Sequence, residues 1–94
     1  MALARVVTFD GVGQERIEQM RREMEEGGQP EDIPATELLV LHDGDAEQAL
    51  VVLFFDNEDD YKRADAVLDA MPAGDTPGRR SSVTKYQVAH RMKS

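Results

Sequence analysis

The two histidines are the only side chains of this sequence that titrate near neutral pH, so they are the first candidates for proton transfer. His42 follows an apolar run, and a neutral imidazole at the end of such a strand can act as a general base. The competing interpretation is a strand-end histidine that is hydrogen-bonded near Asp43, because no nucleophile or metal partner can be identified beside it. His42 is therefore the one candidate catalytic residue, and any further catalytic machinery is unknown.

A second group of candidates lies in the basic segment 76–94. This segment contains five cationic side chains and no acid: Arg79, Arg80, Lys85, Arg91 and Lys93. The whole chain carries a net charge of -8, so residues 1–75 carry -13 against +5 in the segment. Guanidinium groups and a phenol suit anionic oxygens, which makes Arg79, Arg80 and Tyr86 candidate ligand-binding residues. The alternative is that these cations dock the last strand against acidic surface, in the same chain or in a partner, or protect a sheet edge from pairing.

The acidic turn that follows His42 also carries side chains of metal-ligand type, at Asp43, Asp45 and Glu47. Adjacent acids in a hairpin point apart, and the spacing of a calcium loop is absent, so we expect no metal site. The Asp-Gly pair between two apolar runs instead predicts a tight hairpin in which Gly44 adopts a positive φ.

Other ligand classes are excluded by composition and spacing. Gly11-Val12-Gly13 is followed by Arg16 where a dinucleotide-binding loop needs a third glycine. The net charge of -8 argues against binding to a phosphate backbone. The absence of cysteine excludes thiolate metal sites and a thiol nucleophile. We therefore expect no cofactor, no metal and no nucleic-acid partner.

The elements that position these residues are predicted by a pattern that occurs twice. An apolar run closes on Phe-Asp at Asp10 and again at Asp56, and each time a polar stretch with helical spacing follows. We predict strands at 4–9, 37–42, 48–55 and 80–92, a helix at 14–26, a second helix capped by Asp56 or Asn57 that reaches Met71, and loops at 29–36 and 72–78. This order, βαββαβ, predicts a single α+β domain over residues 1–94 with a ferredoxin-like fold, in which two helices cover one face of a four-stranded antiparallel sheet.

The predicted third strand is apolar on both faces. Leu50, Val52 and Phe54 alternate with Val51, Leu53 and Phe55, whereas a solvated sheet face should carry polar residues. We place Val7, Phe9, Leu53 and Phe55 under the helices, and Thr8, Phe54 and His42 on the opposite face. A second copy of the chain is the simplest cover for that face, so we expect a homodimer. The longest apolar run, 49–55, is too short to span a membrane, and a cytoplasmic protein is expected.

The βαββαβ order, the two-sided apolar strands and the last strand, Lys85-Tyr86-Gln87-Val88, resemble the dimeric α/β-barrel superfamily that includes antibiotic-biosynthesis monooxygenase-like proteins. The resemblance implies that two sheets pack face to face into a dimeric α/β barrel, with a pocket between sheet and helices in each subunit. Members of this superfamily include cofactor-independent oxygenases, haem-degrading enzymes, isomerases and proteins without known activity. The chain has no tryptophan and none of the oxygenase or haem-handling residue sets, so no catalytic residue is carried over.

Two functions follow as expectations. The first is a small acidic homodimer that acts as a non-catalytic small-molecule-binding or interaction module, with a small organic ligand held by Thr8, Phe54, Arg79, Arg80 and Tyr86. The alternative is a cofactor-independent monooxygenase-like or isomerase-like enzyme that acts on a small organic substrate, with His42 as base and Arg80 and Tyr86 as anchors. A pocket closed by apolar side chains favours the first, and an open cavity with two or more converging polar groups favours the second.

Overall fold

The computed structural model describes residues 2–27, 33–70 and 79–92. Its elements are β1 (Leu3–Asp10), α1 (Gln14–Gly27), β2 (Glu37–Asp43), β3 (Gln48–Phe55), α2 (Glu58–Asp69) and β4 (Arg79–Gln87). The four strands form one antiparallel sheet in the order β2-β3-β1-β4. This arrangement confirms the predicted α+β, ferredoxin-like fold.

The core lies between the sheet and the two helices, in two clusters of buried side chains. The cluster under α2 contains Leu3, Ile33, Leu53, Phe55, Tyr61 and Ala64. The second cluster contains Val7, Phe9, Val12 and Ala49, with Ile17 of α1 packed against it. Because successive side chains of a strand point to opposite faces, buried residues alternate with partly exposed ones from Arg5 to Asp10 of β1 and from Val52 to Phe55 of β3. The prediction that Val7, Phe9, Leu53 and Phe55 lie under the helices is confirmed.

Helix α2 begins at one of the two predicted caps. The side chain of Asn57 accepts a hydrogen bond of 2.8 Å from the backbone N–H of Asp60, which satisfies one of the free donors in the first turn. Tyr61 and Ala64 are buried, and Leu68 packs half-buried against the first cluster. The last predicted member of this stripe, Met71, lies outside the described residues. No helix in the described ranges is long and apolar enough to cross a membrane.

The connection between β2 and β3 differs from the predicted tight hairpin. Four residues, 44–47, form the loop, and the residue with positive φ is Glu47, at 50°, rather than Gly44. The Asp43 carboxylate accepts hydrogen bonds from the backbone N–H groups of Asp45 and Ala46, which stabilises a longer turn. The left-handed residue needed to re-enter the sheet then falls at the end of this turn.

The fourth strand is shorter than the predicted 80–92. It ends at Gln87, opposite Leu3, because β1 offers no strand residue beyond that position. Val88 still donates a backbone hydrogen bond of 2.9 Å to the carbonyl of Ala2, and residues 88–92 then leave the sheet. Residues 28–32, which include part of the predicted loop 29–36, lie outside the described residues, as do all of the predicted loop 72–78 and position 71.

Candidate functional site

His42 lies on the face of the sheet that the helices cover. It stands directly opposite Ala49, a member of the second core cluster, and residues directly opposite each other share a face. The prediction that His42 shares a face with Thr8 and Phe54 is therefore wrong. Its Nε2–H donates a hydrogen bond of 2.8 Å to the carbonyl oxygen of Val12, not to a group near Asp43. His42 thus ties β2 to the connection between β1 and α1.

An apolar groove of about 340 Å³ runs between α1 and β2. Its apolar lining consists of Ile17, Met20, Met24 and Val40. The charged rim comes from Glu18, Arg21 and Glu25, and the Arg21 guanidinium lies 2.9 Å from a carboxylate oxygen of each acid. The hydrogen bond and charge of Arg21 lower the pKa of Glu18, and Glu18 in turn raises the pKa of Arg21. Arg21 is thus paired with both acids at the surface, and the groove itself is lined by apolar side chains.

Two basic residues of β4, Arg80 and Lys85, form ion pairs with acids of the same chain. Arg80 lies 3.1 Å from the Asp69 carboxylate, and Lys85 pairs with Glu58. The Lys85 ammonium also lies 4.9 Å from the ring centroid of Tyr61, and its hydrogen bond lowers the pKa of Glu58. Of the two interpretations of the basic segment, docking within the chain describes these two residues, because both reach α2.

Arg79 differs from its neighbour, since it has no ion pair among residues 2–27, 33–70 and 79–92. It stands opposite Asp10 at the far end of β4. Arg79 and Arg80 therefore do not form a joint anion site in the described structure, because Arg80 is held by Asp69 on the helical side.

A buried arginine, Arg5, forms the centre of a network that sequence analysis missed. Arg5 is 2% exposed, and its guanidinium lies 2.8 Å from Asp65 and 3.3 Å from Asp69. Asp69 also binds Arg80, so the network joins β1, α2 and β4. Two signals were available in the sequence. Arg5 has the same strand parity as the buried residue Val7, and the two acids are spaced i, i+4 on one helix face.

The face of the sheet opposite the helices, here called the open face, is largely apolar. Seven apolar side chains occupy it: Ala4, Val6, Leu39, Leu41, Leu50, Val52 and Phe54. Leu39 and Leu41 are 40% and 51% exposed, Ala4 is buried, and the other four are half-buried. No helix covers this face in the described part of the chain, because both helices pack on the other side.

Four of the five predicted ligand-binding residues share the open face: Thr8, Phe54, Tyr86 and, opposite Asp10 at the other end of the sheet, Arg79. Tyr86 and Phe54 both stand opposite Ala4, one on each side, so two strand spacings or about 10 Å separate their backbones. Thr8 lies four residues farther along β1, at about 13 Å from Ala4. The structure thus places these side chains on one surface without bringing them into one pocket, and Arg80 lies on the opposite face.

Residues 88–92, here called the 88–92 segment, bring an unexpected cation onto the open face. The Arg91 guanidinium lies 4.4 Å from the ring centroid of Phe54, and it pairs with Glu37. The segment therefore passes from the β4 edge of the sheet towards β2. Predicting residues 80–92 as one strand hid this contact, because an extended strand would have carried Arg91 away from the sheet.

Within residues 2–27, 33–70 and 79–92, no three acidic or imidazole side chains are grouped so that they could hold a metal ion. No protein-family model matches the sequence, and no curated protein is significantly similar to it. The candidate sites are therefore defined by geometry: the apolar open face and the groove beside α1.

Proposed function

We propose that this chain acts as a homodimeric, non-catalytic binding or interaction module in which the open faces of two copies pack against each other. The observation that carries the proposal is the apolar surface formed by β1, β2 and β3, which no helix covers in the described part of the chain. Such a surface is a hazard for a protein that stays monomeric, and a twofold axis covers both copies at once. The proposed assembly is the dimeric α/β barrel that the sequence resembles.

The size of the open face supports a dimer of moderate affinity. Four strands spaced by about 4.8 Å, each about eight residues long, cover roughly 500 Å². This area is somewhat below the ~800 Å² per partner of a standard stable interface. Leu39 and Leu41 retain about half of their exposure, but Val52 and Phe54 are already partly shielded, so each gains less than the ~1.5–3 kcal/mol of full burial. We therefore expect association in the micromolar range.

The non-catalytic part of the proposal is supported by how the candidate polar groups are used. The Nε2–H of His42 is held by a backbone carbonyl, and Arg80 and Lys85 are held by acids of α2. The groove beside α1 is lined by apolar side chains, with its charges paired at the rim. A small organic ligand of the proposed dimer would thus be bound by apolar contact. A cytoplasmic location stays a prediction.

Sedimentation equilibrium of the full chain tests the dimer. Leu39→Lys places a charge on the apolar open face, in the edge strand β2 and opposite Val52, and should convert the dimer to a monomer. Ala66→Lys adds the same charge at an exposed position of α2 and should leave the dimer intact. A wild-type protein that is monomeric at tens of micromolar, or equal dissociation constants for the two variants, would contradict the proposal.

The groove beside α1 favours a second candidate, a cofactor-independent monooxygenase-like or isomerase-like enzyme. Its volume of about 340 Å³ falls at the lower end of small-molecule sites, and His42 lies on the same face of the sheet as Val40. Val40→Trp should fill the groove and abolish stabilisation by any apolar ligand found in a thermal-shift screen. Turnover of such a ligand by wild type that is lost in His42→Gln would favour the enzyme over the binding module.

A further inference from the structure

The open face already has one occupant, the 88–92 segment of the same chain. The backbone N–H of Val88 donates a hydrogen bond to the carbonyl of Ala2, just beyond the end of β1. Three residues later the Arg91 guanidinium lies over Phe54 and pairs with Glu37. These two contacts use both properties of the guanidinium, since its face stacks on a ring while its edge binds a carboxylate.

The register of the sheet shows how much of the open face the segment reaches. One row of paired residues crosses the strands β2, β3, β1 and β4 in that order, and it consists of Glu37, Phe54, Ala4 and Tyr86. This row crosses the whole sheet at one end. The segment starts at the hydrogen bond between Val88 and Ala2, and the Arg91 side chain reaches the Phe54 and Glu37 positions of this row.

Two sheets that pack face to face lie about 10 Å apart, and their own side chains fill that space. An additional backbone with an arginine seated on Phe54 does not fit between them. The docked segment and a second copy of the chain therefore exclude each other at this end of the face. Docking by the segment protects Phe54 in the free subunit, and dimerisation requires its release.

We propose that the 88–92 segment competes with a second copy of this chain for the open face, with Arg91 as the residue that holds the segment down. This inference rests on the proposed homodimer and adds what regulates it. The side chains of Arg91 and Glu37 are 36% and 40% exposed, so dissolved salt screens their ion pair. Higher ionic strength then releases the segment and tightens the dimer.

The fraction of subunits whose segment is released enters the dissociation constant of the dimer as its square, because each of the two copies must release its segment. An exposed ion pair and an exposed cation–π contact together hold a segment about fivefold over its free state. At that ratio about one subunit in six is free to associate, so removing Arg91 should lower the dissociation constant of the dimer by roughly 36-fold.

The experiment compares dimer dissociation constants by sedimentation equilibrium for wild type, Arg91→Gln, Glu37→Gln and the double variant, which keeps the wild-type net charge. Arg22→Gln, at an exposed position of α1, is the control for loss of a positive charge. We expect all three variants of the Arg91–Glu37 pair to dimerise more tightly than wild type, and Arg22→Gln to match wild type or dimerise slightly more weakly. Raising the salt concentration should tighten wild type more than Arg91→Gln.

The outcomes separate this inference from the proposal beneath it. A wild-type dimer whose constant is unchanged or weakened in Arg91→Gln and in the double variant overturns the competition and leaves the dimer standing. A monomer in all five proteins at every concentration overturns both. A wild type that dimerises in the micromolar range together with a clearly tighter Arg91→Gln dimer supports both, because the docked segment then lowers the fraction of subunits that are free to associate.

Discussion

Replacing Asp65 and Asp69 together with Asn should destabilise this protein more than replacing Arg5 with Met, although both changes break the same ion pairs. The guanidinium of Arg5 is almost entirely inside the protein, with 3% of its side chain exposed. The two carboxylates that neutralise it are 38% and 50% exposed. Charge removal from the buried side leaves acids that water can solvate, whereas charge removal from the exposed side leaves a cation that water cannot reach.

The magnitudes follow from this difference in solvation. A buried charge that loses its partners costs about 3–5 kcal/mol of folding free energy, so the double Asn variant should lose that amount. Arg5→Met keeps the length of the side chain and its apolar contacts, and an apolar replacement for a buried ion is often close to neutral, so its effect should stay within about 1–2 kcal/mol. Loss of the exposed Arg80–Asp69 pair adds only ~0–1 kcal/mol.

Urea unfolding measures these differences. All variants are compared at one protein concentration, so that any contribution from association stays the same. With a slope of about 1 kcal/mol per M, the midpoint of the double Asn variant should fall by about 3–5 M. Asp65→Asn alone is the milder version, should the double variant fail to fold. Combining Arg5→Met with the two Asn substitutions should restore most of the lost stability, and Glu25→Gln, which breaks an exposed pair, should change little.

The reasoning would be refuted if Arg5→Met proved as destabilising as the double Asn variant, or if the triple variant unfolded no later than the double. Either result would mean that Arg5 stabilises the fold through its packing or through a net gain from the ion pairs, and not that the acids are needed to neutralise a buried charge.

Three further predictions concern single contacts. Phe55→Ala removes a fully buried ring and should lower the free energy of unfolding in urea by about 3–5 kcal/mol. The comparison is valid if the circular dichroism spectrum of the variant is close to that of wild type. Lys85→Gln should raise the pKa of Glu58 towards 4.5 in an NMR titration. The pair stabilises the fold above pH 4.5 and less so as the pH falls, and the variant should lack this pH-dependent stabilisation; an unchanged pKa would contradict the pair. Asn57→Ala should cost about 0.5–2 kcal/mol, whereas Asn57→Asp should retain the bond to the Asp60 N–H; equal losses would show that the cap does not matter.

The order of elements was predictable because each depends on local chemistry. The apolar runs that close on Asp10 and Asp56 indicate the strands β1 and β3, and Asn57 with three acids after it marks a helix start. The assignment of Val7 and Phe55 to the helix-covered face was correct, since the period of a strand leaves only two choices.

Predictions that depended on how separate elements meet were less reliable. The parity of His42 could be read from the sequence, but which side of β2 the helices cover depends on its register with β3, and that register pairs His42 with Ala49. The end of β4 depended likewise on the length of its partner β1. Gly44 suited a tight hairpin, yet the Asp43 carboxylate stabilised a longer turn that moved the positive φ to Glu47.

By itself the sequence determined the strands, the helices, the two-sided apolar character of the sheet and the acidic charge of the chain, because these follow from residues that are neighbours or lie a few positions apart. Only the tertiary structure decided that Asp65 and Asp69 neutralise Arg5, and that Arg91 lies on Phe54. These contacts join residues 37 to 64 positions apart. Any cation of the chain can in principle meet any acid or ring, and the fold selects one partner by bringing particular strand ends and helix faces together.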